Sequence, residues 1–200
     1  MSEYRLILAS NSPRRRELLA EAGYQFNVVP PHETAECGIC STGGPAALVV
    51  ELGTSKAVDV AAQLKHRGEL TEQTIIIACD TVAECNGDIL GKPRDEEHAR
   101  AMLEQLRGSL HRVYSGLCVW RPMAEGDAGK PDVRLAASEL RMDAISDEQL
   151  DDYLASGLWR GKAGAFGYQD RAGWLHLLSG SESNVVGLPM ELLEEMLAGL

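Results

Sequence analysis

The sequence predicts an α/β fold, and three stretches carry that prediction. Arg5 to Ser10 is an apolar strand followed at once by a helix start. Ile75-Ile76-Ile77 is a β-branched run that reads as a buried strand. Val82 to Cys85 can pair with Ile89-Leu90 across Asn86-Gly87, a strong signal for a tight hairpin. Strands and amphipathic helices alternate along the rest of the chain.

The 200 residues suit one domain, 1–200, with room for two lobes. Hydrophobic residues make up 44% and charged residues 24%, the balance of an ordinary soluble globule. No apolar run approaches the roughly 20 residues needed to span a bilayer. The N-terminus, MSEYRLILAS, lacks the layout of a signal peptide. These features predict a cytoplasmic protein with five reduced cysteines and no membrane partner. A net charge of −11 with no basic stripe argues against a nucleic acid polymer as partner. A small anionic ligand fits, provided a few cations gather in one place.

The first helix has Ser12 as N-cap and Pro13 at its first position. Leu18, Leu19 and Ala22 are its expected inner face, and Gly23 its end. The turn Ser10-Asn11-Ser12-Pro13-Arg14-Arg15 lies between strand and helix. A helix N-terminus offers free N–H groups and a positive dipole end, a natural phosphate site. Arginines oppose that dipole, so a purely structural role explains Arg14 and Arg15 poorly.

Phe26 to Val29 is the second expected strand, and residues 30 to 44 read as a loop. Cys37-x-x-Cys40 lies there, after His32, but zinc would need a fourth ligand or a second CxxC pair. Two free thiols are expected. Pro45 opens a long helix to about Leu64, with Val49, Leu52, Val60 and Leu64 as its stripe. Lys56 falls on that stripe, so it either snorkels outward or meets an anion at the core edge.

Asp80 is expected where the central strand ends, and Lys92 just beyond the hairpin. Such a pair, facing one cleft, suits a metal-bound phosphate substrate; the alternative is a surface turn with ordinary charges. A helix follows from Asp95 to Arg107, with Ala99, Met102, Leu103 and Leu106 inward. His111 to Trp120 and Val133 to Met142 read as antiparallel strands joined by a polar Gly/Pro loop. Ser146-x-x-Gln149 is a capping box opening a helix that stops at Gly157. Gly161 to Gln169 is rich in small residues, which let backbone approach a ligand closely. A strand from Trp174, a loop from Gly180 to Leu188 and a helix after Pro189 complete the chain.

With these segments in place, the chain resembles the Maf family of nucleoside triphosphate pyrophosphatases. Six ordered motifs carry the resemblance. They are Leu8-Ala9-Ser10-x-Ser12-Pro13-Arg14-Arg15-x-Glu17-Leu18-Leu19, Lys56-Ala57, Asp80-Thr81-Val82, Gly91-Lys92-Pro93, Lys162 to Gln169, and Asn184-Val185-Val186-Gly187-Leu188-Pro189. The resemblance implies an elongated, curved mixed sheet with flanking helices and two lobes around a cleft, similar to inosine triphosphate pyrophosphatase. It implies hydrolysis of a nucleoside triphosphate to monophosphate and pyrophosphate with Mg²⁺ or Mn²⁺.

Arg14-Arg15, Thr81 and Gln169 look like the dTTP/UTP branch, where the matching residues Arg14, Thr81 and Gln169 are linked to substrate choice. Asp80 matches the proton acceptor. Asp80, Lys56 and Lys92 form the implied catalytic set. Arg14, Arg15, Lys56, Lys92 and Lys162 would spread charge over the triphosphate, and Ser10 would hold phosphate oxygens. Paired acids usually follow the second strand in this family. Here Glu33 and Glu36 straddle the place, and Glu33 is the favoured metal ligand beside Asp80. Phe166 and Tyr168 depart from the usual pattern. Alternatives are the same reaction on 7-methyl-GTP or CTP, or a non-catalytic regulator of septum formation. Both a monomer and a homodimer stay open.

Overall fold

The protein is described by a computed structural model covering residues 4–36, 42–122, 129–170 and 173–200. Its strands are β1 (Arg5–Ala9), β2 (Phe26–Val28), β3 (Thr74–Cys85), β4 (Asp88–Leu90), β5 (Leu110–Trp120), β6 (Asp132–Met142) and β7 (Leu175–Ser179). They form one mixed sheet of seven strands in the order β2-β1-β3-β5-β6-β7, with β4 added alongside β3. The helices are α1 (Pro13–Glu21), α2 (Gly44–His66), α3 (Glu96–Leu106), α4 (Asp147–Ala155), α5 (Glu182–Val186) and α6 (Met190–Ala198).

Side chains alternate across β3, as the two-residue period requires. Ile76 and Ala78 pack with Ile7, Val60 and Leu64 on the α2 side. Ile75 and Ile77 pack with Leu19, Leu193 and Met196 on the α1 and α6 side. A separate core, including Leu103, Leu140, Leu150 and Tyr153, lies under α3 and α4. The sheet therefore serves two lobes, and β3 runs through both.

Several local expectations hold. Asn86 and Gly87 take φ of 54° and 91°, the left-handed conformation a two-residue hairpin needs, and Ala83 pairs with Leu90. The Asp95 side chain caps α3 by accepting from the His98 N–H. Ser146 and Gln149 form the full capping box of α4.

Others need correction. Asp80 is not at a strand end: β3 continues five residues further, because β5 pairs with it from Ile76 to Glu84. Ala22 is exposed rather than part of an inner face. Ser12 precedes α1 without a side-chain cap; its N–H donates to Ser10 Oγ at 3.1 Å. The segment read as a loop from Gly180 to Leu188 contains α5, with Ser181 accepting from the Asn184 N–H.

Two glycines decide how close α2 lies to the sheet. A Cβ on Gly116 would stand 2.2 Å from the Val49 carbonyl oxygen, and one on Gly53 would stand 2.6 Å from the Gly116 carbonyl oxygen. Helix and strand backbones touch here, which no side chain permits. Gly116→Ala should therefore lower stability by about 1–3 kcal/mol, the usual cost of overpacking. Denaturant unfolding reads this directly; a stability within error of the parent would mean that α2 shifts freely.

Candidate active site

β1 and β4 share one edge of β3 but do not meet. β1 covers Thr74 to Ala78 and β4 covers Ala83 to Cys85. Between them, among the described residues, no strand pairs with Cys79 to Val82 on that edge. The main cleft opens at this gap, with a volume of about 490 Å³. It lies at the carboxyl end of parallel β1, where open α/β sheets place their ligands.

Distant parts of the chain supply its walls. The β1–α1 turn gives Ser10, Arg14 and Arg15; α2 gives Lys56; β3 gives Asp80 and Thr81. Lys92 follows β4, and Lys162 precedes the short 3₁₀ turn Ala163–Ala165. Five cations thus face two acids, Asp80 and Glu36, in a protein of net charge −11. The sequence-predicted residues Ser10, Arg14, Arg15, Lys56, Asp80, Thr81, Lys92 and Lys162 all line this one cleft.

Lys56 is 5% exposed and does meet an anion at the core edge. Its Nζ lies 2.5 Å from Asp80 Oδ1 and 2.8 Å from Glu36 Oε1. Burial opposes ionisation of Glu36, but the Lys56 hydrogen bond and charge, aided by Lys92 and Arg15, outweigh it. The Glu36 carboxyl is held below its ordinary value. Glu36, the other acid that straddles the expected place, is thus brought to Lys56 and Asp80. Glu33 and Glu36 share the 3₁₀ turn Glu33–Glu36, but Glu36 lines the cleft and Glu33 does not.

Arg15 is fixed by three contacts. Its Nε donates to the Gly187 carbonyl at 2.8 Å, Nη1 to Ser10 Oγ at 3.3 Å and Nη2 to Thr81 Oγ1 at 3.2 Å. Thr81 Oγ1 also meets Ser115 Oγ at 2.8 Å. On the opposite wall, Lys162 pairs with Asp170, whose carboxylate also accepts from Tyr153 Oη and the Gly167 N–H. Burial pulls the Lys162 pKa down; Asp170 opposes that pull and Arg14 adds to it.

Gln169 is exposed and does not line the cleft, although its neighbours Phe166 and Tyr168 do. Cys37 and Cys40 fall outside the described residues. His32 bonds through Nδ1 to Asp59 on α2 at 2.9 Å, away from the cleft. Ser115 and Asp170 are not legible in the sequence, because each is defined by contacts that no short motif announces.

Among the described residues, no three of His, Cys, Asp and Glu cluster as a metal cage. Asp80 and Glu36 nevertheless present two hard carboxylates on one ammonium, leaving one net negative charge. One or two carboxylates completed by phosphate oxygens and water is the set that Mg²⁺ takes, so the residues present fit such an ion.

The chain has an α/β fold of the Ham1 type. Two solved structures share that fold: the Ham1 protein of Staphylococcus aureus (TM-score 0.51, 15% identity, 98% of each chain covered) and a HAM1 protein from Coxiella burnetii (TM-score 0.50, 15% identity, 99% of this chain and 100% of that one). Residues 5–200 match the family described as Maf-like protein, and the chain belongs to it. The chain is 47% identical over 193 residues to the dTTP/UTP pyrophosphatase of Rhodopirellula baltica, covering 96% of this chain and 80% of that protein. It is 38% identical to the protein of the same name from Pelotomaculum thermopropionicum, covering 96% and 94%. Among the described residues no helix is long and apolar enough to cross a membrane.

The depressed Glu36 pKa has a signed consequence. A carboxylate with a lowered folded pKa adds stability above its unfolded value, ordinarily 4.5, and that stability is lost as pH falls through the folded value. Glu36→Gln should melt below the parent at neutral pH and converge with it in acid. Thermal melts of both proteins from about pH 7 to about pH 3 test this. A difference that does not change with pH would detach Glu36 from the ion pair.

Proposed function

We propose that the protein hydrolyses dTTP and UTP to the monophosphate and pyrophosphate. Four further cations around the Lys56–Asp80–Glu36 cluster, in a cleft of nucleotide size, carry this reading. Membership of a family whose relatives are named for that reaction supports it. Residues 1–200 act as one domain, in the cytoplasm, as a monomer or homodimer, with no nucleic acid polymer or membrane as partner.

In this reading Lys56 occupies one oxygen of Asp80, and the other accepts a proton from the attacking water. The water oxygen bonds the α-phosphorus, the bond to the bridging oxygen breaks, and pyrophosphate leaves with that electron pair. Arg14, Arg15, Lys92 and Lys162 neutralise charge growing on the leaving group. Ser10 and the first N–H groups of α1 hold phosphate oxygens. Asp80 and Glu36 would hold a divalent Mg²⁺ or Mn²⁺, which would supply further positive charge and lower the pKa of a bound water. Thr81 and the exposed Gln169 are assigned to sugar or base recognition on the family resemblance alone.

Incubation with Mg²⁺ or Mn²⁺ and a panel of triphosphates should release pyrophosphate fastest from dTTP or UTP. Orthophosphate plus diphosphate as products would reject cleavage at the α-phosphorus, and a preference for 7-methyl-GTP or CTP would change the substrate. Binding without turnover would favour a regulator.

Asp80→Asn keeps the shape of the side chain but removes the proton acceptor. Turnover should fall on the order of 10²–10⁴-fold, while nucleotide affinity, carried by untouched cations, largely survives. Kinetics, calorimetry and a melt on one preparation give the answer. Near-parental turnover in a folded Asp80→Asn protein would take Asp80 out of the chemistry.

A further inference from the structure

Asp170 does not line the cleft, but it holds a residue that does. Its Oδ2 accepts from three donors: Lys162 Nζ, Tyr153 Oη at 2.8 Å and the Gly167 N–H at 3.0 Å. The Lys162 and Asp170 side chains are each 11% exposed. Among the described residues the Lys162 ammonium has no other hydrogen-bond partner. One of its three N–H donors is spent on Asp170, and two remain.

An ammonium buried this deeply is costly without a carboxylate beside it. Burial pulls the Lys162 pKa down, and the positive charge of Arg14 pulls the same way. Asp170 opposes both, through its hydrogen bond and its charge. Tyr153 cannot take over that task, because burial pushes its pKa up and it stays a neutral donor to Asp170. Helix α3 and strand β3 come close to the same turn at Gly164 with Leu106 and Ala83, which carry no charge. Among the described residues, Asp170 and Arg14 are therefore the charges that act on Lys162.

We propose that Asp170 is a positioning residue, which holds the Lys162 side chain in the cleft wall as a cation for the triphosphate and the departing pyrophosphate. This rests on the triphosphate reading above and deepens it. Tyr153 and the Gly167 N–H fix the carboxylate, and the carboxylate fixes the ammonium. Without Asp170, burial and Arg14 act unopposed, and a neutral amine offsets no phosphate charge.

The test follows kcat/KM for UTP from about pH 7 to about pH 9 in the parent, Asp170→Asn and Lys162→Arg/Asp170→Asn. Asparagine keeps an oxygen that can accept from Tyr153 and Gly167 but carries no charge. Relative to the parent at the same pH, Asp170→Asn should lose about tenfold or more across that range, as an amine within it gives up its proton. Arginine keeps its proton throughout, so the double variant should hold a constant ratio to the parent. A purely structural role would lower the ratio by the same factor at every pH. A folded Asp170→Asn protein whose ratio stays flat overturns the proposal. So does a double variant that falls with pH as Asp170→Asn does, because the titrating group is then not Lys162. Should Asp170→Asn fail to fold, Lys162→Met decides: a parental kcat/KM in that variant means that the ammonium held by Asp170 does nothing for the substrate. A parent that turns over no pyrimidine triphosphate is a separate failure, and it removes the proposed function along with this inference.

Discussion

The buried ammonium of Lys56 is the constraint around which the cleft is built. A lysine on the core face of a long helix is expensive to desolvate unless carboxylates meet it. Asp80 and Glu36 do so, from β3 and from the 3₁₀ turn after β2. Helix α2 reaches that position because its backbone lies directly on β5 at Gly53 and Gly116. Lys56 follows Gly53 by three residues, close to one helical turn, so the contact that seats the helix also aims the lysine. Removing either carboxylate leaves less charge to balance a group with little access to water. Packing and electrostatics are therefore coupled through one short stretch of α2.

The second determinant is the interrupted edge of β3. A fully paired strand would present no opening at Asp80 and Thr81. Because β1 stops at Ala9 and β4 reaches no further along β3 than Ala83, these residues keep their places in the ladder with β5 while facing a cleft on the other edge. The strand supplies rigidity, and the gap supplies access. Arg15 bridges the gap to α5 through the Gly187 carbonyl, tying the first helix of one lobe to a segment packed against the other.

Asp170 does for the far wall what Lys56 does for the near one. Its carboxylate collects the Tyr153 hydroxyl, the Gly167 N–H and the Lys162 ammonium. A Cβ on Gly167 would lie 2.6 Å from that carboxylate, so the turn closes tightly only with glycine there. The same segment holds Ala165 at φ 59°, a conformation an alanine keeps only when its surroundings impose it. Lys162 is thereby delivered to the cleft by a short, constrained arch.

What the sequence determined by itself were the features set by near neighbours. Asn86-Gly87 specifies its hairpin through backbone conformation, Ser146 and Gln149 their capping box, and the spacing of Ala99, Met102, Leu103 and Leu106 the inner face of α3. The motifs around Ser10, Lys56 and Lys92 were likewise legible, since each sits at a local turn or on an apolar stripe. Tertiary structure decided the rest. It extended β3 past Asp80 because β5, some 35 residues on, supplied a partner. It brought Glu36 to the cleft beside Lys56, and left Gln169 exposed beside a lined wall. It also buried the Nδ1 of His111 without a hydrogen-bond partner. Those outcomes depend on contacts between residues far apart in the chain, and a local pattern carries no record of the partner that will arrive.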